Sequence, residues 1–138
     1  MRVKFKKLER EAVQPIKTDG NAGLDMTAIR IEHTDMYTEY DTGIAVQIPE
    51  GYVGLLFPRS SISKYDLVMA NSVGVVDSSY RGPIKFRFKN MKKHPKMYTI
   101  GERIGQLIII PYPDIEIVEV NELSSTDRGV GGFGSTGS

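Results

Sequence analysis

The sequence predicts an all-β fold, a barrel or a sandwich, with one short helix and a glycine-rich tail. Three observations point there. Apolar and polar residues alternate with a period of two in several short runs. Turn signals separate those runs, at Asp19-Gly20, Pro49-Glu50-Gly51, Arg81-Gly82-Pro83 and Pro111-Tyr112-Pro113. Only one stretch, SSISKYD, suits a helix.

The elements follow in chain order. Arg2-Val3-Lys4-Phe5-Lys6 alternates as a half-buried strand does. TGIAVQIPEGYVGLLFP reads as two strands around a tight turn at Pro49-Glu50-Gly51. SSISKYD follows Pro58-Arg59, and its serines are available to cap a helix start. NSVGVVDSSYRGPIKF places two short strands around a turn near Ser78-Ser79, which predicts a hairpin. PIKFRFKN puts Ile84, Phe86 and Phe88 on one face and Lys85, Arg87 and Lys89 on the other. GQLIIIP is a continuous apolar run, as in a strand covered on both faces. IEIVEV alternates again and predicts a last strand. The closing RGVGGFGSTGS holds five glycines and can build no packed core, so it is expected to be mobile. The expected organisation is a barrel domain over 1–123 and a flexible tail over 124–138.

Composition narrows the function classes. The 138 residues suffice for one domain with a single core. A net charge of +1 implies no broad attraction to nucleic acid or membrane. The absence of cysteine excludes disulfides, thiolate metal sites and cysteine nucleophiles. MRVKFKKLER is basic but has no apolar core of the kind a secretory signal needs. The longest apolar run, Leu107 to Ile110, is too short to span a bilayer. His33 and His94 share no ligand spacing and read as surface residues.

Four segments can carry chemistry. FPRSSIS places Arg59, Ser60 and Ser61 at a helix start, where a guanidinium, hydroxyls and free amides favour an anion. The same residues also suit an ordinary strand-to-helix turn. In NSVGVVDSSYRG, Asp77 can accept a hydrogen bond from water, Asn71 can donate and accept, and Tyr80 offers a flat face. A turn built from Asp-Ser-Ser with a packed tyrosine is the plainer alternative. AGLDMTA sets Asp25 among small and apolar residues, either capping its own turn or facing a metal-bound water. In the tail, Arg128, Ser135 and Thr136 suit a phosphate, and Phe133 can stack on a nucleobase. Such a segment is either a lid that orders over a nucleotide or simply disordered.

Taken together and in order, these segments resemble the five motifs of the trimeric deoxyuridine triphosphate nucleotidohydrolases, the dUTPases. AGLDMTA at 22–28, PRSSIS at 58–63, NSVGVVDSSYRG at 71–82, GERIGQLI at 101–108 and RGVGGFGSTG at 128–137 span most of the chain. The resemblance implies a jelly-roll-like β-barrel and hydrolysis of dUTP to dUMP and pyrophosphate. It assigns Asp77 to the attacking water and the sugar 3′-hydroxyl, and Tyr80 to packing under the deoxyribose against any 2′-hydroxyl. Asn71, Val75 and Val76 would read the uracil edge, and Lys85 would also touch substrate. Arg59, Ser60, Ser61 and Gln106 would bind phosphates. Arg128, Ser135 and Thr136 would hold the γ-phosphate, with Phe133 and Gly134 at the base. Asp25 would hold waters of a Mg²⁺ chelated by the triphosphate. The implied assembly is a homotrimer whose sites each draw on three subunits. The lack of long insertions suggests a minimal bacterial or viral form working in the cytoplasm.

Some positions depart from the commonest family pattern: Leu24 for an aromatic, Ser61 for glycine, Gly105 for alanine, and Pro83 after Arg-Gly. Two other functions share this scaffold. A dCTP deaminase would need a glutamate near the base, and a catalytically silent nucleotide sensor would bind without turnover.

Overall fold

The structure is a computed structural model and describes residues 1–135. Its strands are β1 (Lys4–Lys7), β2 (Ile16–Lys17), β3 (Leu24–Thr27), β4 (Arg30–His33), β5 (Thr38–Asp41), β6 (Ile44–Gln47), β7 (Tyr52–Phe57), β8 (Leu67–Met69), β9 (Gly74–Val76), β10 (Lys85–Asn90) and β11 (Arg103–Pro111). They form a five-stranded sheet, β2-β3-β11-β7-β9, a four-stranded sheet, β4-β5-β10-β8, and a β1-β6 ribbon. All the pairings are antiparallel. No helix among the described residues is long and apolar enough to cross a membrane.

The all-β expectation holds, and β10 shows why. Ile84, Phe86 and Phe88 are buried on one side, and Lys85, Arg87 and Lys89 are exposed on the other. Phe88 meets Tyr40 of β5 edge-to-face, ring centroids 5.7 Å apart. Ile104 and Leu107 of β11 and Met26 of β3 close the core from the opposite sheet. The Tyr40 hydroxyl donates to the Tyr98 carbonyl at 3.0 Å, and burial pushes its phenol pKa up to about 12. It therefore stays a neutral donor across the physiological range.

The turn at Pro49–Gly51 forms, with the Tyr52 amide donating to the Pro49 carbonyl at 3.1 Å and Gly51 at φ 82°. The strands it joins do not pair with each other. β6 pairs with β1, and β7 lies between β11 and β9. The expected hairpin around Ser78-Ser79 is corrected in the same way. β9 joins the five-stranded sheet on β7, and β10 joins the other sheet between β5 and β8. Pro83 lacks the N–H that a ladder would use next to β10. The 77–84 segment instead crosses between sheets, opening a gap where they part.

The expected strand at IEIVEV is absent. Ile117 is 93% exposed, and 115–120 carry no strand. β11, which precedes it, already has β3 and β7 on its two edges, and Pro111 and Pro113 interrupt the chain. Alternation with no strand laid beside it makes no ladder. β11 itself is covered on both faces only at its start. Ile104 and Leu107 are buried, Ile108 and Ile109 are half-buried, and Ile110 is exposed. β1 forms but is exposed throughout rather than half-buried. The predicted helix is a five-residue 3₁₀ turn, Ser60–Lys64, with Arg59 at its N-cap and no side-chain cap. The serine hydroxyls turn elsewhere: Ser61 Oγ lies 2.9 Å from the Tyr98 hydroxyl, and Ser63 Oγ donates to the Ser60 carbonyl at 3.1 Å.

Candidate active site

A cavity of ≈ 350 Å³ fills the gap between the sheets. Asn71, Val75, Val76, Asp77, Tyr80 and Lys85 all line it. The backbone here has little slack. A side chain at Gly74 would press on Leu56, 3.0 Å from its Cβ. Val76 is buried, while Val75 is 66% exposed and presents its backbone and side chain at the mouth. Asp77 follows β9 at once and is exposed, its carbonyl accepting the Tyr80 amide at 3.1 Å. That turn brings the Tyr80 ring back over Gly82, where a Cβ would sit 2.7 Å from the ring carbon Cζ. The Tyr80 hydroxyl then donates to the Pro83 carbonyl at 2.8 Å, which fixes the ring as a cavity wall.

Lys85 does not point freely into the cavity. Its Nζ lies 3.4 Å from Glu39 Oε2, and Arg87 Nε donates to Glu39 Oε1 at 2.9 Å. Glu39 is only 7% exposed and also lines the cavity. Its hydrogen bond to Arg87 raises the arginine's pKa.

A second pocket, of ≈ 410 Å³, is lined by Arg59, Ser61, Tyr65, Tyr98, Glu102 and Arg103, together with Gly101. Asp25 on β3 anchors two guanidiniums. Arg59 Nε is 3.3 Å from Oδ1, and Arg103 Nη1 is 3.1 Å from Oδ2. Gln106 sits opposite Asp25 in the β11–β3 ladder, and its amide donates to the Pro58 carbonyl at 3.1 Å. Gly23 leaves room for that amide, since a side chain there would overlap Gln106. Ser60 is exposed at the head of the 3₁₀ turn. Gly105 is explained by Phe86, whose ring occupies the space a Cβ would take.

The tail residues form a third group. Arg128 Nε donates to the Gly131 carbonyl at 2.6 Å, and the Gly132 amide donates to Ser135 Oγ at 2.7 Å. Phe133 is fully exposed at φ 51°, and Gly134 follows at φ 83°. Hydrogen bonds of 113–135 are all local among the described residues. Thr136 lies outside the described residues. The chain thus gathers the nucleoside-reading candidates in one cavity and Arg59, Ser61, Asp25 and Gln106 around another pocket. It does not bring the two groups and the tail into one site.

Among the described residues no cluster of three or more histidines, cysteines or acids could ligate a metal directly. Asp25 is a lone carboxylate already flanked by two arginines. That donor set fits a carboxylate holding waters of a metal that arrives with a polyphosphate.

Residues 10–137 match the dUTPase family model. The chain belongs to the dUTPase family. It is 38% identical to the deoxyuridine 5'-triphosphate nucleotidohydrolase of Hydrogenobaculum sp. strain Y04AAS1, with 99% of each chain covered. The solved dUTPase of Staphylococcus bacteriophage 80alpha with dUpNHpp superposes at a TM-score of 0.84, with 30% identity over 99% of each chain. A mutant dUTPase from phage phi11 of S. aureus, described for its structural Mg(II) ion, matches at a TM-score of 0.74 and 25% identity over 88% of this chain and 98% of its own.

Within this dUTPase fold, sequence reading missed Glu39, Arg103 and Tyr98. Glu39 lies on β5 (Thr38–Asp41), which the sequence reading did not assign as a strand. Its signal was register: Glu39 faces Arg87 across the β5–β10 ladder. Arg103 stands in the quoted GERIGQLI motif, two residues before the bulge-forming Gly105, but its partner Asp25 is 78 residues away in sequence.

Proposed function

We propose that this chain hydrolyses dUTP to dUMP and pyrophosphate by in-line attack of water on the α-phosphorus. One observation carries the reading: a single cavity is lined by Asn71, Val75, Val76, Asp77, Tyr80 and Lys85 together. The exposed Asp77 carboxylate at the cavity's rim positions the attacking water and meets the sugar 3′-hydroxyl. A carboxylate is a weak base, so its main contribution is orientation of the nucleophile. The Tyr80 ring, pinned at Pro83, packs under the deoxyribose and leaves no room for a 2′-hydroxyl. Asn71 and the backbone at Val75 and Val76 read the uracil edge, and their close fit rejects the thymine methyl.

Arg59, Ser60, Ser61 and Gln106 take the phosphates. Their separation from the nucleoside cavity and from the tail within one chain supports a homotrimer with sites shared among three subunits. Arg128, Ser135 and Thr136 then close on the γ-phosphate while Phe133 covers the base beside Gly134. In this reading 1–123 is the barrel and 124–138 the lid, which excludes water other than the nucleophile. Asp25 would hold a Mg²⁺ through water, and that ion would supply charge neutralisation for the triphosphate. The enzyme works in the cytoplasm, limiting uracil in DNA and supplying dUMP.

The test is pyrophosphate release from dUTP, dTTP, dCTP and UTP, each with Mg²⁺ and with EDTA. Metal-dependent release from dUTP alone is expected. Ammonia release from dCTP with the triphosphate kept would mean a deaminase, and dUTP binding without turnover a sensor.

A further inference from the structure

Two tyrosines with no part in the proposed chemistry lie against the proposed phosphate-binding segment. Tyr98 is 2% exposed, and Tyr65 stacks on it with ring centroids 4.0 Å apart and planes at 28°. Tyr98 is tied to the core through its carbonyl, which accepts the Tyr40 hydroxyl. Its own hydroxyl reaches Ser61 Oγ at 2.9 Å. The Tyr65 hydroxyl donates to Glu102 Oε1 at 2.8 Å, and Glu102 Oε2 accepts the Thr99 amide at 2.6 Å. That amide holds the Glu102 carboxyl below the usual carboxylate range, so it is an ionised acceptor at neutral pH.

The 3₁₀ turn is held at its entry by Gln106 on the Pro58 carbonyl and Arg59 on Asp25, and Ile62 packs against the core. It is five residues long, has no side-chain cap, and buries none of its own residues. So short a turn does not fix its own geometry. Its placement comes from such outside contacts, and among the described residues the hydroxyls of Ser60 and Ser61 make one hydrogen bond beyond the turn, Ser61 to Tyr98. This contact also commits the Ser61 hydroxyl inward, so Ser61 meets an anion through its backbone.

We propose that Tyr98 is a positioning residue for the polyphosphate: its hydroxyl anchors Ser61 and so sets where Arg59, Ser60 and the Ser61 backbone stand. This rests on the dUTP reading above. The anchor acts on the phosphates beyond the sugar, while the uracil cavity, built on β7, β9 and β10, is independent of it.

The experiment uses the full chain with Tyr98→Phe, which keeps the buried ring, and Ser61→Ala, which removes the partner from a half-buried site. A net hydrogen bond worth about 1 kcal/mol corresponds to about fivefold in affinity. Each variant is expected to weaken dUpNHpp binding and raise the KM for dUTP by about fivefold, with the affinity for deoxyuridine, which carries no phosphate, changed by less than about twofold. The double variant is expected to be no worse than either single one, because both remove the same contact. Unchanged dUpNHpp affinity in Ser61→Ala overturns the assignment. So does equal weakening of deoxyuridine, which marks a general structural role, or additive loss in the double variant. If the parent chain releases no pyrophosphate from dUTP, the functional reading itself fails; if it does and both variants bind dUpNHpp as the parent does, only the role of Tyr98 fails.

Discussion

β10 and the 115–120 segment are written in related patterns, and they end in opposite environments. Both set apolar residues beside charged ones, although the alternation of 115–120 slips by one residue at Ile117-Val118. In β10 the apolar set is buried to the last atom at Phe86 and Phe88, while Ile115, Ile117 and Val120 are exposed. The difference is a ladder. β10 has β5 on one edge and β8 on the other, so its backbone groups are paired and its apolar face meets a facing sheet. The later segment follows a strand whose edges are full. Period two describes a strand's preference for two faces; a neighbour decides whether there is a strand at all. The barrel consequently holds its shape through its own contacts, while 113–135 has only local hydrogen bonds to organise it.

That contrast should separate two readouts, turnover and unfolding. The largest effect is expected at Asp77→Asn, which removes the carboxylate proposed to orient water. Turnover should fall by about 10²–10⁴-fold with dUpNHpp binding retained, as judged by calorimetry; near-normal turnover would remove Asp77 from its assigned role. Deleting 128–138 should come next, lowering turnover by roughly 10²-fold while leaving the thermal midpoint of the barrel in place. A truncated chain with full activity would end the account of the lid. Phe88→Ala should do the reverse, costing about 3–5 kcal/mol of stability in urea unfolding, because a fully buried ring leaves a cavity between two sheets. Gly105→Ala is the mildest, at about 1–3 kcal/mol, since its methyl needs the space of the Phe86 ring. A neutral result there would show that Phe86 can step aside.

Much of this was readable before any coordinates. The period of PIKFRFKN fixed which side of β10 faces inward, and Pro49-Glu50-Gly51 marked a turn that forms as expected. Asn71, Asp77 and Tyr80 fall within one twelve-residue motif, so local sequence already kept them near each other. What sequence did not disclose is pairing across distance. Strands flanking a turn look like a hairpin whether they pair or diverge into separate sheets, as β9 and β10 do. Tyr98 and Ser61 are 37 residues apart, and Arg103 and Asp25 are 78 apart. No period or motif joins such partners; only the closed barrel does.

The Asp25 carboxylate, held between Arg59 and Arg103, has one more effect. It acts as an internal stand-in for an anion. Without it, two like charges would repel and wander, and any passing phosphate would find a ready clamp. With it, the guanidiniums are already aimed, and an incoming ligand must compete with a tethered rival to claim them. One acidic side chain thereby keeps two like charges side by side at the edge of one pocket.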